Sequence, residues 1–231
     1  MAQQSPAGEP MVYAVDDDPQ ALNAIAELVR SFGYQVKVFL GPHPFLDELD
    51  RTDSAQVGCI VLDHRMPDMD GLEVSQRVLE RNLALPVILV SGYAETSLTV
   101  RALRSGVLAV LDKPCRENEL WSFIQEALAK SEDELRRRAH QQSLEERFRR
   151  LSPNDRQVLQ LILEGSKNRT MAKRLDVSLR TVENRRRRVF EVMHADSVAA
   201  LTRMVIEYEH HLLPARGGAE TWMALPFERV A

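Results

Sequence analysis

The chain has 231 residues, 44% hydrophobic and 28% charged, as expected of a soluble globular protein of one large domain or two small ones. No apolar stretch approaches the roughly 20 residues that span a bilayer, so no membrane partner is expected. The formal net charge of −4 conceals a division: residues 1–130 carry 11 Lys+Arg against 19 Asp+Glu, net −8, and residues 131–231 carry 19 against 15, net +4. A basic second half points to a second domain that faces nucleic acid.

Along the chain, MAQQSPAGEP (1–10) lacks the basic and apolar regions of a secretion signal and is expected to be disordered, in a protein that stays in the cytoplasm. MVYAV (11–15) is a short apolar run ending in three aspartates. PQALNAIAELVRSFG (19–33) has helical spacing, YQVKVFL (34–40) is strand-like, and a short amphipathic segment runs to about Asp50. VGCIVLD (57–63), PVILVSG (86–92) and VLAVLD (107–112) read as strands. GLEVSQRVLERN (71–82), ETSLTVRALRSG (95–106) and ENELWSFIQEALAK (117–130) read as helices. Five strands alternating with five helices imply right-handed βαβ units around a doubly wound parallel sheet buried on both faces. Cys59 and Cys115 lack metal-ligand spacing and are expected to be reduced thiols.

Residues 131–150 contain no Gly or Pro and offer Glu–Arg pairs at i,i+4 over a thin apolar stripe of Leu144, Phe148 and Leu151. A solvated linker helix, able to continue the helix before it, is expected there. From Leu151 the pattern is all helical. Ser152 and Pro153 open one helix, KNRTMAKRL (167–175) is a short second, Ser178 caps LRTVENRRRRVFEVM (179–193), and Ser197 caps VAALTRMVIEYEHHLL (198–213). The last residues, 214–231, are expected to be a flexible tail.

GCIVLDHRMPDMDG (58–71) concentrates aspartates at a strand end. In an open parallel sheet, ligands bind beyond the carboxyl ends of the strands. Asp16 and Asp17 follow the first strand, Asp63 the third, Ser91 the fourth and Lys113 the fifth, so all five converge on one edge. Two carboxylates about 4 Å apart repel by about 4 kcal/mol at an effective dielectric near 20, and a hard cation with oxygen ligands, of which Mg²⁺ is the best fit, relieves the cost. With Ser91 and Lys113 such a site has the parts for phosphoryl transfer to a carboxylate. Asp68 and Asp70 fit turn chemistry before the next helix. A calcium loop fails, because aligning Gly71 with its invariant glycine puts Met66 and Arg77 at ligand positions. A hydrolase with an aspartyl nucleophile is the remaining enzyme alternative, and His64 is expected to point away from the site.

VDDD (15–18), VLDHRMPDMDG (61–71), VSG (90–92) and LDKP (111–114) resemble the ordered motifs of a response-regulator receiver domain over residues 11–130. The resemblance implies a flavodoxin-like fold in which Asp63 accepts a phosphoryl group from a sensor histidine kinase. It further implies that Asp17 and Asp63 bind Mg²⁺ directly, that Asp16 acts through water or as a second acidic ligand, and that the Arg65 carbonyl completes the set. Ser91 is then the switch hydroxyl and Lys113 the phosphoryl contact, and the protein is no enzyme beyond its own phosphorylation and dephosphorylation. Receivers usually carry an aromatic residue three positions before the site lysine. Here it is Val110, and Tyr93 is a candidate substitute.

The two central basic segments form a helix-turn-helix of the right lengths. On helix 179–193, Val182, Val189 and Met193 define the buried stripe, with Arg186 inside it. Opposite lie Arg180, Asn184, Arg187, Arg188 and Glu191, with Glu183 at the margin. That face suits a major groove, where arginine pairs with guanine and asparagine with adenine. Lys167, Asn168, Arg169, Thr181 and Arg185 are better placed for phosphates. Residues 151–213 resemble the LuxR-type DNA-binding domain of the NarL/FixJ class. That resemblance implies double-stranded promoter DNA as a partner, RNA polymerase as a further one, and a homodimer formed on phosphorylation. The dimer contact falls on the last helix, whose apolar set Val198, Leu201, Val205 and Tyr208 could equally be core. The alternatives are a phosphorylation-independent DNA-binding regulator with a structural receiver, and a signalling interaction module without DNA binding.

Overall fold

A computed structural model describes residues 9–92 and 96–212, the side chains of the last two excepted. Tyr93 and the segment 214–231 lie outside the described residues. Fourteen elements follow one another among those described. The first nine are β1 (Met11–Asp16), α1 (Pro19–Ser31), β2 (Gln35–Leu40), α2 (Pro42–Leu49), β3 (Gly58–Asp63), α3 (Gly71–Glu80), β4 (Val87–Ser91), α4 (Thr96–Arg104) and β5 (Ala109–Asp112). They are followed by α5 (Glu117–Arg149), α6 (Pro153–Leu163), α7 (Asn168–Arg174), α8 (Leu179–Met193) and α9 (Val198–Leu212). The chain divides into two compact units between Arg137 and Arg138.

In the first unit the five strands are all parallel, in the order β2-β1-β3-β4-β5. Alternation along each strand feeds two cores. Tyr13, Val15, Ile60, Leu62 and Leu89 face α2, α3 and α4, packing with Phe45, Leu72 and Ala102. Val12, Cys59, Val61, Ile88 and Val90 face α1 and α5, packing with Val29, Leu120 and Ile124. The expected burial on both faces holds for β3 and β4, every residue of which is buried. It fails for β2, which has no residue in the buried class and exposes Val38 by 45% and Leu40 by 59%. β2 lies at the sheet edge, where only one flanking strand shields it. Both cysteines are free thiols, and burial pushes the Cys59 thiol up, which leaves it inert.

Residues 131–149 continue α5, the continuation that the sequence allowed for, and their two ends fall in different units. Ser131 is fully buried in the first, donating to the Ala84 carbonyl at 2.5 Å and accepting from the Gly58 amide at 3.1 Å. Leu144, Phe148 and Leu151 are at most 3% exposed and belong to the core of the second, with Val158, Met171, Val189 and Leu201. The second unit therefore contains the end of α5 besides α6–α9. Of the expected Glu–Arg pairs, Glu132–Arg136 forms at 2.5 Å, whereas Arg149 pairs at i,i+3 with Glu146 at 3.0 Å.

Candidate functional site

The order β2-β1-β3 places a topological switch point between β1 and β3, since successive connections leave β1 in opposite directions. Asp16 closes β1 and Asp63 closes β3, one on each side of that point. One carboxylate oxygen from each of Asp16, Asp17 and Asp63 lies within 4.8 Å of the other two. Asp16 and Asp63 are 2% and 6% exposed, and Asp17 is exposed. From beyond the end of β5, Lys113 brings its ammonium to 2.7 Å from Asp16 Oδ2 and 2.5 Å from Asp63 Oδ1. The Arg65 amide donates to Asp63 Oδ2 at 2.6 Å, and the Asp18 amide donates to Asp16 Oδ1 at 2.9 Å. Ser91 is fully buried at the end of β4, its carbonyl accepting from the Lys113 amide at 2.8 Å. The Lys113–Pro114 peptide is cis.

Burial raises the Asp63 carboxyl above the ordinary carboxylate range, and the Asp16 charge adds to it, against the opposing pull of Lys113. Burial alone would lower the Lys113 ammonium, but the two carboxylates outweigh it and hold it up. One ammonium thus serves two buried carboxylates with a third beside them, an arrangement short of positive charge. Three oxygen donors at this spacing fit a hard divalent cation better than any soft metal. What the site offers chemically is a buried nucleophilic carboxylate, a fixed cation and a buried hydroxyl around one sheet edge.

The other aspartates of the 58–71 segment do different work. Asp68 occupies the left-handed region at φ 71°, and Asp70 caps α3 by accepting from the Glu73 amide at 2.9 Å. Gly71 follows because a Cβ there would stand 2.5 Å from the Asp63 carbonyl oxygen and 2.7 Å from Leu89. The turn can therefore pass directly against the strand end that presents Asp63. His64, next to Asp63, buries its Nδ1 where no described group bonds it.

In the second unit, α7 and α8 make the helix-turn-helix, with Asp176 at φ 51° in the turn. Val182, Val189 and Met193 are fully buried, so the opposite face of α8 is fixed outward. Arg180, Glu183, Asn184 and Arg187 lie exposed on it, and Lys167 and Arg169 are exposed at the start of α7. Asn168 and Arg185 are half-buried. The Thr181 hydroxyl is 2.8 Å from the Ser178 hydroxyl that caps α8, so it is already engaged in the cap.

Arg188 is exposed on the outward face as expected, and it also turns its Nε to the buried Asp155 carboxylate of α6 at 3.2 Å. Asp155 also accepts from the Ser152 hydroxyl at 2.6 Å and from the Ser152 amide at 3.2 Å, completing a capping box. Ser-x-x-Asp ahead of an apolar run is the sequence signal that would have marked it. Arg186 packs against Met171, as its place in the stripe implied. On α9, Leu201 and Val205 are buried and Tyr208 stacks on Phe148 at 4.1 Å between ring centroids. That set is core. Among the described residues, Val198 and Ile206 are the large apolar side chains of this helix that stay exposed.

Comparison with known families and proteins agrees with this arrangement. The family described as response regulator receiver domain matches residues 12–125, and the family described as bacterial regulatory proteins, luxR family, matches residues 149–205. The chain is similar to the response regulator protein TmoT of Ectopseudomonas mendocina, 34% identical over 85% of this chain and 88% of that one. It is likewise similar to the transcriptional regulatory protein FixJ of Bradyrhizobium diazoefficiens, 31% identical over 84% of this chain and 94% of that one. Among solved structures, the response regulator StyR is 31% identical with a TM-score of 0.81, covering 87% of this chain and all of that one.

Proposed function

Since the chain belongs to the two-component response regulators of the NarL/FixJ class, we propose that Asp63 accepts a phosphoryl group from a sensor histidine kinase and that the modified protein alters its grip on promoter DNA. The observation that carries this reading is the single Lys113 ammonium shared by two buried carboxylates, with Asp17 alongside. Asp16, Asp17 and Asp63 would hold Mg²⁺, with the Arg65 carbonyl as a further ligand. Bound there, the ion supplies positive charge to the phosphoryl oxygens and lowers the repulsion that an attacking carboxylate meets.

Asp63 forms the new O–P bond as the P–N bond to the donor histidine breaks, and the departing imidazole retains the electron pair. Lys113 neutralises the phosphoryl oxygens, and Ser91 offers its hydroxyl to one of them. The product carries about −1.5 to −2 charges in place of one, and the accommodation of that charge by Ser91 and Lys113 is the switch. In the second unit, α8 enters the major groove with Arg180, Asn184 and Arg187 toward the bases. Lys167, Asn168, Arg169 and Arg185 hold phosphates. Dimerisation on phosphorylation sets the two half-sites about one helical turn, or a multiple, apart. Residues 11–130 act as the receiver, and the DNA-binding domain takes in the end of α5 as well as 151–213.

The test pairs intact-mass measurement with gel shifts. Incubation with a small phosphodonor and Mg²⁺ is expected to add one phosphoryl group to the parent chain and none to Asp63→Asn, and to change DNA affinity only in the parent. Acyl phosphate on the Asp63→Asn chain would refute the assignment of the acceptor. A gel shift that the donor leaves unchanged in the parent would favour the phosphorylation-independent regulator, and no shift at any salt would favour the interaction module.

A further inference from the structure

The exposed face of α8 is basic at Arg180, Arg187 and Arg188 and carries two carboxylates, Glu183 and Glu191, of which only Glu183 lies in the N-terminal half of the helix. Glu183 is the fifth residue of the helix, within the N-terminal half that a recognition helix turns to base edges. It is exposed, and it makes no ion pair among the described residues although Arg180 and Arg187 stand at i−3 and i+4. The Glu-then-Arg order at i,i+4 is the favourable one, so the free carboxylate is not a consequence of poor spacing. A carboxylate on a face opposed to phosphates is repelled by them, and a surface evolved only for electrostatic grip gains nothing from it. It gains when the carboxylate meets a hydrogen-bond donor on a base.

In the major groove, cytosine presents its N4 amine, which a carboxylate accepts from. Guanine presents two acceptors, and thymine an acceptor and a methyl group. Adenine pairs its amine with the N7 acceptor, which repels one carboxylate oxygen. We infer that Glu183 is a specificity-determining residue that selects cytosine, and rejects guanine, at one position of each half-site. This rests on the DNA-binding reading above and assigns to one of its residues a chemical preference. Arg188, drawn off to Asp155, leaves Arg187 and Asn184 as the readers beside it.

The experiment uses the full chain, treated with phosphodonor and Mg²⁺. A preferred site is selected from random duplexes, and all four base pairs are then placed at each position for binding by the parent, Glu183→Gln and Glu183→Ala. Circular dichroism verifies that the variants keep the parent's helix content. In the parent, cytosine at one position is expected to be preferred by roughly 5- to 150-fold, the worth of a single good base contact. Glu183→Gln moves the preference at that position toward adenine, which glutamine contacts through N6 and N7. Glu183→Ala levels the four bases there and tightens binding to unrelated DNA. If Glu183→Ala tightens binding to all four duplexes equally and leaves the preference intact, the carboxylate is a passive charge and the inference is overturned. A parent chain that binds every duplex alike overturns the DNA-reading premise itself, a result distinguishable because it needs no variant.

Discussion

Replacing Lys113 with alanine isolates the charge balance of the acidic site. The ammonium lies 2.7 Å from Asp16 and 2.5 Å from Asp63, each contact worth about 6 kcal/mol of Coulomb attraction at an effective dielectric near 20. Most of that is offset by the desolvation of three ions, and the lysine side chain is 33% exposed, so water screens what is left. Removing one partner of a buried pair costs roughly 3–5 kcal/mol. Allowing for the exposure, Lys113→Ala is expected to destabilise the first unit by about 2–4 kcal/mol in EDTA. With the cation gone, three carboxylates within 4.8 Å face one another, so a divalent ion binds more tightly and recovers more stability than in the parent. An ion present at 100 times its Kd contributes about 2.7 kcal/mol. Urea unfolding in EDTA and in MgCl₂ reads the effect, with Trp121 as reporter in a Trp222→Phe background. Trp121 stacks on Phe32 at 3.9 Å between ring centroids, within the first unit. A variant as stable as its parent in EDTA, or a deficit that Mg²⁺ leaves untouched, would refute the reasoning.

The remaining predictions concern single side chains. Because the folded state raises the Asp63 carboxyl, its contribution to stability is fully present below the ordinary carboxylate pKa of about 3.9 and is lost as pH rises through the raised value. Asp63→Asn is therefore expected to stabilise the metal-free chain at neutral pH and to flatten its stability profile from pH 4 to 7, as urea titrations at each pH would record. Asp155→Ala removes the side-chain half of a buried capping box, the acceptor of the Ser152 hydroxyl and the anchor of Arg188, and is expected to cost about 2–3 kcal/mol in the second unit. Arg188→Ala, which removes only a largely exposed partner, should cost less than about 1 kcal/mol in the same thermal melts. Phe148→Ala, at a side chain 1% exposed and stacked on Tyr208, should cost about 3–5 kcal/mol, although it lies before the segment recognisable as the DNA-binding domain from sequence.

The acidic site was legible because its residues stand at strand ends, and the continuous apolar runs of strands buried on both faces mark those ends well. Asp16, Asp63 and Lys113 come together at the strand ends, and Asp68 and Asp70 take the turn roles their setting implied. A helical projection of 179–193 likewise separated Val182, Val189 and Met193 from the exposed face. The same projection gives the direction of Arg188 from its own axis but says nothing of which neighbouring helix holds a buried carboxylate within reach. Residues 131–150 continue the preceding helix, as the sequence allowed, but a thin stripe amid many charges does not reveal that Leu144, Phe148 and Leu151 enter the core of the second unit. β2 misled in the opposite sense, since its apolar character suggested burial and strand order decides which strand lies outermost.

That outermost strand raises a question of self-association. β2 bonds to β1 along one side, and no described strand pairs with the other, which leaves a row of amides and carbonyls beside the exposed Val38 and Leu40. Such a row is a template on which a second copy could extend the sheet. Lys37 sits at the middle of the strand, paired with Glu48 of α2 at 2.5 Å. A second copy docked along this edge would have to accommodate the Lys37 charge and crowd its pair with Glu48. An ion pair of little consequence for folding thus puts a charge at the middle of the open edge, a feature by which natural sheets discourage a further strand.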